Sequence, residues 1–220
     1  MALNASTAAG SSGATFTNME PGTYPARVVM VVDLGVQGQP PFQGKDKPPV
    51  QMVSLTYEFV DEFLLDEDGE AMEDKPRWLS EQFPLFNLAS ERAKSTARYR
   101  ALDPANTHGG DFTKLLDTAC NVTVINNPGS GPNKGKVFDN IAEVTTMRAK
   151  DASKCPELVN PAVVFDLDAP DKDVFLKLPK FIQEKIKNNL NFQGSKLEEL
   201  LAGSTEKAAA KPKPSRNKAC

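Results

Sequence analysis

A chain of 220 residues, 40% apolar and 25% charged, can build a sizeable core, and its composition is that of neither a fibrous nor a disordered protein. A formal net charge of −3 excludes a molecule that attracts nucleic acid as a whole, so any such site must be a local basic patch. Cys120, Cys155 and Cys220 are odd in number and widely spaced, which makes no disulfide framework and points to a reducing compartment.

The first residues, Met1 to Thr17, are rich in Ala, Ser, Thr and Gly and carry no cation before Arg27. They lack the apolar core of a signal peptide, and no stretch reaches the roughly 18–20 apolar residues of a membrane span. The expectation is a cytoplasmic protein with no membrane partner and a flexible arm over residues 1–19.

The predicted elements then follow in order. "GTYPARVVMVVDLGV", Gly22 to Val36, is Val-rich and reads as a strand. Val50 to Phe63 places Val53, Leu55, Tyr57 and Phe59 at period two, a half-buried strand whose apolar parity belongs to the core. "RWLSEQFPLFN", Arg77 to Asn87, is a third strand, with Pro84 marking an edge or a bulge. Ser90 to Leu102 is helix-like, with Ser90 as N-cap, and Asp111 caps a short helix reaching Thr118. "CNVTVIN", Cys120 to Asn126, and "KVFDNIAEVTTM", Lys136 to Met147, are strands four and five.

Three strands, a helix and two strands is the order of an OB-fold, a five-stranded Greek-key barrel. Other small β barrels and some α+β sheets share that order. The expected fold class is mainly β: an OB-fold barrel over residues 20–150 with a helix between strands three and four. Residues 151–203 form a C-terminal extension, extended over Cys155 to Asp168 and then helical. There Pro179 starts a helix with Phe181, Ile182, Ile186 and Leu190 as an apolar stripe, packed on the barrel or on another subunit of a homo-oligomer. Residues 204–220 hold Lys207, Lys211, Lys213, Arg216 and Lys218 with no acid after Glu206, and read as a disordered basic tail. No internal repeat is present.

Nothing points to catalysis. The single histidine, His108, sits in a Gly-rich loop, where a surface residue is the ordinary reading. No His/Cys group has zinc spacing, and "NPGSGPNKGK" lacks the hydroxyl and the following helix of a phosphate-binding loop. The acidic run Glu58 to Asp74 lacks the register of a calcium loop and reads as a solvated hairpin. We therefore expect no enzyme activity, cofactor or metal.

The loops carry more. In OB-folds, ligands lie on the face of strands two and three and between the loops joining strands one–two and four–five. The first loop, Gln37 to Pro49, offers Phe42, Lys45 and Lys47; the other, Asn127 to Lys136, offers Lys134 and Lys136 without an acid. Cations for phosphate beside a ring for stacking are what single-strand binding requires, although Gly/Pro/Lys loops also serve as plain solvated hairpins. Trp78 is either a stacking platform or a core anchor, and Phe138 is a further candidate ring. With Arg27, these make the expected nucleic-acid set. Arg92, Lys94, Arg98 and Arg100 fit an ordinary solvated helix face.

The segments "GTYPARVVMVVDLGVQGQPPFQGKDKPPVQMVSLTYEF", "GKVFDNIAEVTTM" and "LVNPAVVFDLD…FLKLPKFIQEKIKNNL" resemble the single-stranded DNA-binding proteins of tailed bacteriophages. The resemblance spans about residues 20–192. It implies an OB-fold, sequence-tolerant binding of single-stranded DNA, and phage replication or recombination proteins as partners. The chain departs from many such proteins in ending on a basic rather than an acidic tail. A structural or assembly protein that uses the barrel and helix for protein contacts is the other reading.

Overall fold

The computed structural model describes residues 17–209. Six strands, β1 (Gly22–Gln37), β2 (Val50–Leu65), β3 (Ala71–Pro84), β4 (Ala119–Pro128), β5 (Val137–Thr146) and β6 (Val163–Phe165), form one sheet. The helices are α1 (Lys94–Leu102), α2 (Ala149–Ala152), α3 (Lys172–Lys177), α4 (Lys180–Lys187) and α5 (Lys196–Ala209). The protein is mainly β. Its strands run in the order β3-β2-β1-β4-β5, with β6 pairing β1 off this path. The expected barrel is not closed: the sheet is open and has six strands where five were expected, and among the described residues no ladder of hydrogen bonds joins β3 to β5. No helix among the described residues is long and apolar enough to cross a membrane.

The residues fall into two compact units, one of residues 17–31, 54–82 and 86–163 and the other of 32–53, 83–85 and 164–209. The expected boundary near residue 150 lies inside the first. Residues 1–16 of the expected arm and 210–220 of the expected tail lie outside the described residues. Thr17 to Met19 are anchored rather than loose: Arg77 donates to the Thr17 carbonyl, Asn18 donates to Asp139 at 2.7 Å, and Met19 is buried. At the other end α5 continues to Ala209, into the segment expected to be a tail.

In the first unit the uninterrupted apolar run of β1 is buried on both faces, as such a run requires. β2 corrects the expectation of a half-buried strand. Leu55, Tyr57 and Phe59 face the core, yet Ser54, Thr56 and Glu58 on the opposite face are also buried. Thr56 is hydrogen-bonded to Ser80 on β3, and Glu58 is covered by Trp78 and by residues 159–160. The helix expected from Ser90 begins at Lys94, because residues 87–93 are held in turns by Asn87 and Ser90 carbonyls and the Asn87 side chain. Asp111 is the expected cap, accepting from the Thr113 amide, but the element it caps is a 3-10 turn over Phe112–Leu115 and not a helix reaching Thr118.

One end of this unit is closed by charge. Glu81 on β3 accepts from Arg98 Nε at 2.7 Å and Nη2 at 3.1 Å, from Tyr57 Oη at 3.0 Å, and pairs with Lys94 at 2.7 Å. Arg98 also donates to the Ala142 carbonyl on β5 at 3.3 Å. A second tie joins β3 to β5, where Arg77 meets Asp139 at 3.2 Å with both side chains buried. The two ends of the strand order therefore approach within ion-pair distance without pairing their backbones.

In the second unit Phe165, Phe175, Leu178, Ile182, Ile186 and Leu197 are buried. The expected apolar stripe divides: Ile182 and Ile186 are buried, but Phe181 and Leu190 are 61% and 60% exposed. Phe181 stands one residue, about 100°, from Ile182. α4 ends at Lys187, so Leu190 no longer shares its face and instead ties to β1 through its amide on the Val36 carbonyl at 2.9 Å.

Two outcomes follow. Arg98→Ala strips a buried carboxylate of its main partner and should cost about 3 kcal/mol in urea unfolding, whereas a solvated helix arginine would cost well under 1. Asp103 is pushed up by burial but pulled further down by the His108 and Thr107 amides and the Tyr99 hydroxyl, and sits at about 2. A depressed carboxylate stabilises above its unfolded value near 3.9 and loses that contribution as pH falls through its folded value. The stability gap between the wild type and Asp103→Asn should accordingly be full above about pH 4.5 and close toward pH 2.

Candidate nucleic-acid interface

The β1–β2 loop belongs to the second unit and is built on a two-residue turn. Phe42 and Lys45 exchange backbone hydrogen bonds of 2.9 and 3.0 Å, and the residues between them, Gln43 and Gly44, have φ of 51° and 74°. Two positive φ values define the hairpin turn whose twist matches flanking strands, and glycine takes the second without strain. The turn fixes the Phe42 ring at the tip, 58% exposed, with Lys47 Nζ 4.7 Å from its centroid. Such a cation–π contact is worth about 0.5–1 kcal/mol at an exposed site and leaves the ammonium accessible. Lys45 is exposed alongside.

The β4–β5 loop belongs to the first unit. Gly129 and Lys136 close it through a 2.8 Å backbone bond, and a 3-10 turn over Gly131–Asn133 folds its tip. Gly129 is required sterically: a β-carbon there would lie 2.3 Å from the Asn133 carbonyl oxygen and 2.9 Å from the Phe138 ring. Lys134 is exposed, and Lys136 reaches the Asn133 side chain at 3.4 Å. Phe138 is 42% exposed, beside a shallow hollow lined by Asn127, Gly129, Ser130, Asn133 and Asn140.

Trp78 combines its two expected readings. The ring is 39% exposed, but its indole N–H donates to Glu58 at 2.9 Å. Glu58 also accepts from the Val159 amide at 2.7 Å and the Asn160 side chain at 2.8 Å. One buried carboxylate thus binds both the tryptophan and the segment that crosses this face of β2.

Arg27 has a different task from the one expected. Its guanidinium donates to the Pro156, Asp117 and Cys155 carbonyls at 2.7, 2.6 and 3.0 Å and pairs with the Asp117 carboxylate. Its donors are spent on the protein's own backbone. Arg98, expected on a solvated helix face, is the buried partner of Glu81. The Cys120 thiol is pushed up to about 12, chiefly by burial, and remains protonated. Among the described residues, no three His, Cys, Asp or Glu side chains are grouped so as to hold a metal ion.

Phe42, Lys45 and Lys47 thus gather on one loop, and Lys134 and Lys136 on another, with Phe138 following as the second residue of β5. The asparagines around Phe138 carry no signal in the sequence, because only the strand register gathers them. Glu58 begins the acidic run expected to be solvated, yet it is buried; its place within the strand β2, next to Tyr57 and Phe59, is the signal that separates it from the rest of the run. No family model matches the chain, and no curated protein matches it.

The Glu58 cluster gives a direct test. The protein has one tryptophan, so its emission reports this site alone. Glu58→Ala leaves the Trp78 and Val159 N–H groups unpaired, and should shift the emission to the red and cost about 2–3 kcal/mol of stability. Unchanged emission would show that the carboxylate does not hold the ring.

Proposed function

We propose that this protein binds single-stranded DNA without catalysis and with little sequence preference. The observation that carries the reading is the repetition of one arrangement on two hairpins: an exposed ring, Phe42 in the β1–β2 loop or Phe138 at the start of β5, close in sequence to two exposed loop lysines. Phosphate attracts the cations and every base has a face to stack, so this arrangement suits a strand of any sequence. The contacts are Phe42, Lys45 and Lys47 on the β1–β2 loop, Lys134 and Lys136 on the β4–β5 loop and Phe138 at the start of β5, with the open part of the Trp78 ring as a further stacking surface. Arg27 is left out, since its donors are occupied.

An OB-type barrel, partly open, is the fold that goes with this reading. It is supported by the β3-β2-β1-β4-β5 order, by α1 between β3 and β4, and by the side-chain ties from β3 to β5. The resemblance to tailed-phage single-stranded DNA-binding proteins supports the same function and suggests service in phage DNA replication, recombination or repair. A second reading, a protein that assembles through its helices, is favoured by the exposure of Phe181 and Leu190.

Replacing Lys45, Lys47, Lys134 and Lys136 together by Ala should weaken binding of a fluorescent oligonucleotide severalfold or more. It should also flatten the salt slope by up to about 0.7 for each phosphate no longer neutralised. The melting temperature should hold, because these are exposed loop side chains. Homopolymers and mixed sequences should bind within about tenfold of one another, with duplex much weaker. An unchanged slope, or equal affinity for duplex, would contradict the reading.

A further inference from the structure

We propose that the outward face of the β4–β5 hairpin seats one unpaired nucleobase, its plane on the Phe138 ring and its edge on the Asn127 and Asn140 amides. The inference rests on the single-strand reading above and goes further by giving one base a defined seat. The register supplies the geometry. Asn127 lies opposite Phe138, and Ile125 opposite Asn140. Directly paired residues share a face, and so do residues two apart, so all four side chains stand on one face. The inward neighbours confirm the parity: Asp139 is buried against Arg77, and Asn126 donates to the Met19 carbonyl.

The ring is held in place. It rests against Gly129, where no side chain fits beneath it. The Asn140 amide is also oriented: its nitrogen donates to the Phe138 carbonyl at 2.9 Å, which leaves its oxygen as an acceptor. The Asn127 side chain has no hydrogen-bond partner among the described residues and offers both a donor and an acceptor. No carboxylate lines the hollow, and the cations, Lys134 and Lys136, belong to the adjoining loop. A neutral hollow with one ring, donors and acceptors matches a planar, uncharged group bearing both on its edge, while the lysines match the phosphates on either side of it. Each of the four bases carries donor and acceptor atoms on its edge, so these amides add affinity without selecting one sequence.

The test compares the full-length wild type, Phe138→Ala, Phe138→Trp and Asn127→Ala/Asn140→Ala by fluorescence anisotropy. The ligands are a labelled 20-mer of thymidylate and a 20-mer of the same backbone carrying an abasic run. Phe138→Ala should weaken binding of the base-bearing strand about tenfold, while Phe138→Trp restores it. Neither substitution should change binding of the abasic strand. The double asparagine variant should lose severalfold on all four homopolymers alike. A single stack is too weak to hold a free nucleotide, so thymidine monophosphate at millimolar concentration should not compete; competition would mean that the seat serves free nucleotides and not a strand. If the wild type binds the thymidylate strand and Phe138→Ala binds it equally well, the seat does not exist, although the single-strand reading stands. If the wild type binds no single strand, the functional reading itself fails.

Discussion

Arg98 and Glu81 meet in a two-pronged, buried ion pair, and the arrangement of the first unit depends on it. Removing two charges from water costs several kcal/mol each, which only close geometry and further partners offset. Both are present: Tyr57 and Lys94 also engage Glu81, and Arg98 reaches the Ala142 carbonyl. One cluster thereby joins β2, β3, α1 and β5. Together with Arg77–Asp139 it sets the inward face of β5, and so it also sets which residues of the β4–β5 hairpin look outward. The exposed face of Phe138 and Asn140 is the reverse side of a charged interior.

A similar economy appears at Glu58. A carboxylate in the middle of a strand, buried and accepting three hydrogen bonds, holds the Trp78 indole and the segment around Val159. Arg27 holds the same stretch of chain a few residues earlier, through the Cys155 and Pro156 carbonyls. The segment after β5 is therefore bound to the first unit by charged side chains acting on backbone groups, which leaves its own side chains, such as Val159, largely exposed.

Much of the fold was legible in the sequence. The Val-rich run of β1 and the period-two apolar residues of β2 required strands, and Asp111 announced its turn. The start of β3 was not legible, because Ala71 to Lys75 shows no period-two apolar pattern and ends in three charges, Glu73, Asp74 and Lys75. It pairs nonetheless, since Asp66 accepts from the Asp68 and Glu70 amides and closes the hairpin at its tip. Buried charges were equally hidden: nothing distinguishes Arg98 from Arg100, or Arg27 from a phosphate-binding arginine, until a partner's position is known. The loop lysines and Phe42 were legible because Gly and Pro mark a turn and its side chains have nowhere to hide. Asn127 and Asn140 were not, because register is a property of two strands and neither alone specifies it.

The proposed engagement of single-stranded DNA by the β1–β2 loop and the β4–β5 hairpin is tested most directly by hydrogen–deuterium exchange with and without a saturating oligonucleotide. Exchange should slow over residues 41–47 and 127–138, where backbone amides close both turns, and stay unchanged over 172–187. Protection confined to 172–187, with both loops unaltered, would contradict that engagement.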